Sequence, residues 1–295
     1  MSMVAFQGAV ELGLIYALMA LGLFVSYRVL NIPDMTVDSS FTLGAAVSAL
    51  CAAAGHPFLG LLAAVAAGFC AGQITAFLQT KLSIQPILAG ILSMTALYSI
   101  NLRIMGGRAN IPLLKSPVIF QYVSGRFGKM ALAFCFTLAA CLLLILFFRT
   151  HTGLCLRAAG DNEDMVRSSS INTDSMKFIG LGIANALVGL SGAVLAQYQN
   201  FADASTGIGM VVIGLASLIV GEVAFGRPSI WRNILSVVLG AIVYRVIIAF
   251  VLALGLSPND LKLISAVIVA AAISYPVALA QYRLFRRRRE ARQNA

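Results

Sequence analysis

RTHTGLCLRAAGDNEDMVRSSSINTDSMK, residues 149–177, is the one long charged island in a chain that otherwise runs as a string of membrane-length apolar stretches. Arg149, Arg157, Arg167 and Lys177 alternate there with Asp161, Glu163, Asp164 and Asp174. A bare connection between two membrane helices needs only a few polar residues. This island is far longer, Gly153 and Gly160 break it, and DNEDMV reads as a short helix start. Its length and mixed charge point to a docking surface for a soluble partner.

Outward from the island the chain turns apolar on both sides. Hydrophobic residues make up 60% of the 295, charged residues 11%, and the mean hydropathy is +0.91. Soluble domains carry about 25% charge and about 45–50% apolar residues, so lipid rather than water solvates this chain. An unpaired backbone group in hydrocarbon costs several kcal/mol, which leaves helices or a closed barrel as spanning structures. The apolar runs have helix length and do not alternate as barrel strands do. The expected fold is therefore all-α: a polytopic membrane helical bundle of about nine (eight to ten) transmembrane helices.

The candidate spans are 7–27, 36–54, 57–79, 84–104, 130–148, 177–198, 206–224, 231–254 and 261–281. The broken segment 31–54 is where a miscounted span is most expected. The net charge of +10 does not point to nucleic acid. Five of the basic residues, Arg286 to Arg289 and Arg292, follow the last apolar run, where the positive-inside rule and anionic cytoplasmic lipid place them. With that tail inside, nine spans put the N-terminus outside; fourteen basic residues then lie on the cytoplasmic side, six outside, and Arg245 within a span. Segment 103–129 is more basic than an outer loop should be. MSMVAFQ lacks a basic n-region and runs straight into a full-length span, so no cleaved signal peptide is expected. The division is a transmembrane region over 1–282 and a basic cytoplasmic tail over 283–295.

A faint internal repeat points to transport. Gly13-Leu-Ile-Tyr-Ala17-Leu18 is similar to Gly182-Ile-Ala-Asn-Ala186-Leu187, an offset of 169. Each run precedes an acidic, Ser-containing break, Asp38-Ser-Ser-Phe-Thr and Asp203-Ala-Ser-Thr-Gly, offset by 165. In the topology above the two spans run opposite ways, so the repeat is either inverted, a common transporter plan, or a coincidence of Gly/Ala/Leu composition.

Chemistry is mostly absent. No phosphate-binding G-x-x-x-x-G-K-[ST] loop, HExxH or GxSxG occurs, and the only histidines are His56 and His151. Five cysteines without a CxxC read as small core residues, so neither a metal nor a cofactor is expected. The chain reads as moving something rather than converting it. A lipid-modifying enzyme would need a His or acidic cluster at one interface, and none assembles. An ion-driven secondary transporter remains the main alternative, with Glu11 or Asp38 as its titrating group.

Charges inside spans usually pair or line a wet path. Glu11 and Arg245 read first as a structural ion pair. Asp38 sits among Thr36, Ser39, Ser40 and Thr42 after Pro33, and reads either as the helix N-cap or as part of a ligand site. In the stretch after Pro86, Ser93 and Asn101 are further path candidates, and Gly68-x-x-x-Gly72 is a close-packing spacing. Glu222 and Arg227, in a short cytoplasmic turn, read equally as interface anchors or as functional contacts.

The island and the run after it, through GIANALVGLSGAVLAQ, resemble the main cytoplasmic loop and following helix of ABC-importer permeases of the branched-chain amino acid and ribose type. Gly153, Arg157, Ala158, Gly160, Asp161, Asn162, Glu163, Ile171 and Asn172 carry the likeness, while Ser170 stands where these permeases commonly have Gly. NIPDMTVDSSFTLGAAVSA, IQPILAGILSM and VGEVAFGRPSIWRNILSVVLGAIVYRVI have counterparts too, and PDMTVDSSFTLGAAV is most similar to the tryptophan/tyrosine-type subgroup. The resemblance implies a permease of the bacterial inner membrane, working as a pair of permease subunits (a homodimer here) with separate cytoplasmic ATPases and an extracytoplasmic substrate-binding protein. It also implies that 149–176 is the coupling loop, with Arg157, Ala158, Gly160, Asp161, Asn162 and Glu163 carrying the ATPase contact. Asp38, Ser39, Ser40, Ser93 and Asn101 would then line the route of a small solute, an amino acid.

Overall fold

A computed structural model describes residues 3–114, 116–123, 127–226, 229–255, 263–268, 270–271 and 274. The tail 283–295, most of the expected span 261–281, and Lys115, Arg126, Arg227 and Lys262 lie outside the described residues.

The apolar runs fold as expected, as an all-α polytopic bundle. α1 (Met3–Leu23) continues into a π-helical turn over Phe24–Val29, followed by α2 (Val37–Ala53), α3 (Pro57–Thr80), α4 (Pro86–Ile104) and α5 (Gly128–Arg149). Pro57 and Pro86 each stand at a helix start, where a missing N–H costs nothing. The island folds into two short helices, α6 (His151–Asp161) and α7 (Glu163–Ser168). α8 (Thr173–Gln199), α9 (Met210–Phe225) and α10 (Ile230–Ala253) complete the described bundle. Two three-residue strands, β1 (Asn110–Pro112) and β2 (Phe201–Asp203), pair antiparallel.

Eight helices thus match the first eight expected spans, but they are not alike. Six are long and apolar enough to cross a membrane, whereas α2 and α9, at 17 and 16 residues, are shorter. At about 1.5 Å per residue they fall short of the roughly 30 Å hydrocarbon core.

α8 is the axis of the bundle, with α1, α2 and α3 packed on it. The Gly68/Gly72 spacing on α3 lies against α8: a Cβ at either glycine would overlap the carbonyl oxygen of Asn185 or Leu181. α1 and α8 run antiparallel. Tyr198 donates to Glu11, Ser191 donates to the Ile15 carbonyl, Gly22 lies on Ala184, and Leu30 lies on Gly180.

These contacts define the repeat. Adding 169 to Ile15 and Gly22 gives Ala184 and Ser191, so the Ile15–Ser191 and Gly22–Ala184 contacts are equivalents about a local two-fold axis. Gly13 faces Ile242 of α10 as Gly182 faces Phe69 of α3. α2 packs on α3 as α9 packs on α10. The breaks after α1 and α8 match as well. Asn31 (φ 55) and Asn200 (φ 62) are both left-handed. Asp34 then accepts the N–H of Thr36 at 2.9 Å, and Asp203 that of Ser205 at 2.7 Å. The offset is 169 throughout, so Asp203 answers to Asp34 and not to Asp38, which corrects the 165-residue register read from the sequence.

Candidate translocation path and coupling surface

The N-termini of the two short helices meet. Asp38 does not cap its own helix: its carboxylate accepts the N–H groups of Gly209 and Val211, at 2.8 Å each, and so caps α9. Thr42 Oγ1 accepts from Gly207 N–H at 3.1 Å. The capping read from the sequence for Asp38's own helix is thus found on the partner helix of the repeat, and the same residue borders a cavity. No local spacing announces that.

The other candidate path residues gather around the same junction. Ser39 Oγ donates to the Met94 carbonyl at 2.7 Å, and Asn101 Nδ2 donates to the Ser39 carbonyl at 3.0 Å, tying α2 to α4. Thr36 and Thr75 share a 2.7 Å hydrogen bond, and Thr75 reaches Ser93 at 2.8 Å. Sequence reasoning passed over Thr75, which links α2, α3 and α4. Asp38 and Ser39 border a cavity of about 330 Å³, whose other walls include Thr95, Tyr98, Ala204 and Ile208. Ser40, Ser93 and Asn101 are buried behind that wall rather than lining it. Nearby, Asp34 accepts from Asn185 Nδ2 at 2.7 Å, a buried pair joining the first break to α8.

Glu11 and Arg245 do not meet, which corrects the expected ion pair. Glu11 accepts from Gln7 at 2.9 Å and Tyr198 at 2.8 Å, and the Arg245 guanidinium lies 3.7 Å from the centre of the Tyr16 ring. Helix phase sets this: Arg245 turns onto the Tyr16 face of α1, whereas Glu11 turns to Tyr198 of α8, which composition does not reveal. Glu222, read as an anchor or a functional contact, pairs with Arg28 at 2.9 Å and fixes α9 to the π-helical end of α1; Arg227 lies outside the described residues.

The island is built by its caps. Thr150, Asn162 and Asn172 each accept an N–H in the first turn of α6, α7 and α8, from Gly153, Met165 and Ser175. Ser170 holds φ 62, a left-handed conformation glycine adopts freely, which accounts for the Gly that the resembling permeases carry there. Glu163 accepts from Lys177 at 2.8 Å and Arg167 at 3.1 Å, pinning α7 to α8. Partial burial raises the Glu163 carboxyl, but Lys177, helped by Thr173 and Arg167, outweighs it and holds the group below the ordinary carboxylate range.

Arg157, Ala158, Asp161 and Asn162 are exposed, as are the apolar Leu154 (52%) and Met165 (68%). Gly160 points inward instead. A Cβ there would overlap the Val29 carbonyl oxygen and lie 2.8 Å from its carbon and 3.0 Å from Leu30 Cα. α6 therefore rests directly on the end of the π-helical turn, a type of irregularity often found at functional sites.

The family described as branched-chain amino acid transport system / permease component matches residues 6–273, and the chain belongs to it. It is 40% identical over 259 residues to a tyrosine transport system permease protein of Clostridioides difficile, covering 88% of this chain and 86% of that one. It is 33% identical over 270 residues to the uncharacterized protein RP368 of Rickettsia prowazekii (90% and 95% covered). A probable branched-chain amino acid transport permease protein, LivH, of Methanocaldococcus jannaschii is 25% identical over 235 residues, 73% of each chain. No solved structure matches the chain.

Proposed function

We propose that this chain is the membrane-spanning permease subunit of an ATP-binding-cassette importer for an aromatic amino acid. In this reading it works as a homodimer, takes solute from an extracytoplasmic binding protein, and is driven by a separate ATPase seated on α6 and α7. Nine spans, counting 261–281, place the N-terminus outside and the tail 283–295 in the cytoplasm of a bacterial inner membrane. Asp38 and Ser39 border the route, while Ser40, Ser93 and Asn101 set the shape of its wall. Arg157, Ala158, Asp161 and Asn162 meet the ATPase; Glu163 and Gly160 hold the platform to α8 and α1.

The observation that carries this reading is the contact of α6 with the π-helical end of α1. It gives an external motor a direct mechanical connection to the helix that precedes the path. Aromatic substrate rests on the 40% identity to a tyrosine transport permease and on the Tyr98-walled cavity.

The test is reconstitution in liposomes with the cognate ATPase and binding protein, following uptake of labelled L-tyrosine. ATP-dependent uptake that is lost without the ATPase supports the proposal. Uptake driven by an ion gradient alone, with no ATPase present, would replace it with the secondary-transporter reading.

A further inference from the structure

Arg245 lies inside a spanning helix, about 22 Å along α10 from Ile230 at ~1.5 Å per residue. A cation so placed costs about 2.5–3.5 kcal/mol on insertion scales, and such groups ordinarily pair with a carboxylate or line a wet path. Among the described residues no carboxylate forms an ion pair with Arg245. Its Nε is buried and has no hydrogen-bond partner. The guanidinium is instead held against Tyr16, whose ring is stacked on Phe41 with an interplanar angle of 3°. A cation–π contact of this kind engages the guanidinium through its face rather than through its N–H edge.

Arg245 also lines a cavity of about 240 Å³ with Ile208, Gly209, Val212, Tyr244 and Ile248. Ile208 is shared with the cavity that Asp38 and Tyr98 border. Gly209 donates its N–H to Asp38 on one side and faces the arginine cavity on the other. The short loop before α9 therefore separates a carboxylate wall from a guanidinium wall, and the remaining side chains around the arginine are mostly apolar.

We propose that Arg245 binds the α-carboxylate of the transported amino acid as it passes the start of α9. The proposal rests on reading the chain as an amino-acid permease. A carboxylate suits the fixed planar donors of a guanidinium, which it can engage in two parallel hydrogen bonds. It would also neutralise, for the time it is bound, a charge that no described carboxylate pairs with. An amine lacking the carboxylate gains neither term.

The experiment uses the permease–ATPase complex without binding protein. Bound tritiated L-tyrosine is competed with 3-phenylpropionate, which keeps the carboxylate, and with tyramine, which lacks it. For the wild type, 3-phenylpropionate competes and tyramine is at least about tenfold weaker, the size expected for a charge-assisted pair. Arg245→Gln is expected to lose that discrimination and at least about tenfold in tyrosine affinity, and Arg245→Lys to recover part of both, with each variant still co-purifying with the ATPase. Equal competition by the two analogues in the wild type overturns the proposal, and that arm needs no variant to fold. Wild-type discrimination retained in Arg245→Gln overturns it as well. If the complete wild-type system transports no aromatic amino acid, the substrate reading beneath the proposal fails; if it does transport one and the arginine proves indifferent, only this inference fails.

Discussion

Replacing Gly160 with alanine adds one methyl group where the structure has no room for it. The new Cβ would overlap the Val29 carbonyl oxygen and sit 2.8 Å from the carbon behind it. Neither side yields easily. Val29 belongs to the π-helical turn, where Leu30 N–H already bonds the Val25 carbonyl at 3.0 Å, and α6 is anchored by the Thr150 cap. Forcing a methylene into a tight contact costs roughly 1–3 kcal/mol. The bundle core is untouched, so the subunit is expected to fold and insert. α6 must lift from α1, and the strain falls on the coupling contact. Expressed as a coupling free energy, 1–3 kcal/mol is about 5–150-fold. In liposomes containing ATPase, binding protein and permease, the measured quantity is ATP hydrolysed per solute taken up. Gly160→Ala should raise that ratio by at least about fivefold while the complex still assembles. An unchanged ratio in a correctly assembled variant would show that α6 does not act through α1, and the transmission route argued from this contact would be wrong.

Three further outcomes can be checked. Glu163 has its folded-state carboxyl held below the ordinary value of 4.5. The stability it lends the platform is therefore fully present above that value and disappears as pH falls through the lower, folded one. Hydrogen-exchange protection factors across 163–177 should be flat between neutral and mildly acidic pH and fall only under stronger acid, and Glu163→Gln should lower protection at every pH. Asn185→Leu leaves buried Asp34 without its α8 donor, and should lower stability in detergent by about 1–3 kcal/mol or more, read as a drop in thermal midpoint. Asn31→Ala and Asn200→Ala each place a Cβ-bearing non-Asn residue in a left-handed position and should each lower stability by roughly 1–2 kcal/mol, whereas glycine at either site should be nearly neutral. Unequal effects of the two alanines would count against their equivalence.

Much of the bundle was legible because lipid imposes a single requirement on each spanning segment, and apolar run length reports it directly. Pro57, Pro86 and the asparagine caps fall where local chemistry places them. The platform was legible for the converse reason, since 149–177 has no lipid-facing role that would explain its charges. The path was less so. Asp38 was visible as an odd residue, but its partners Gly209 and Val211 lie more than 170 positions away, and nothing local encodes which helix it caps. Asp38-Ser-Ser has the more conspicuous likeness to Asp203-Ala-Ser, but the structural equivalence of Asp34 with Asp203 follows the backbone turn set by Asn31 and Asn200. Glu11 and Arg245 were paired on charge alone. Facing is a matter of helix phase, and in helices apolar on every side no polar stripe discloses the phase.

The local two-fold relating α1–α3 to α8–α10 has an energetic corollary. Tilting one triplet against the other, and then the reverse, yields two shapes that are nearly the same assembly turned over. Their intrinsic free energies should accordingly be close, and the bias between them must come from elements outside the two triplets, which among the described residues include α4 to α7. Swinging such a balanced switch from 1:99 to 99:1 takes only about 5.5 kcal/mol of differential binding. Molecules bound at opposite faces can therefore set which way it opens with a modest share of their interaction energy.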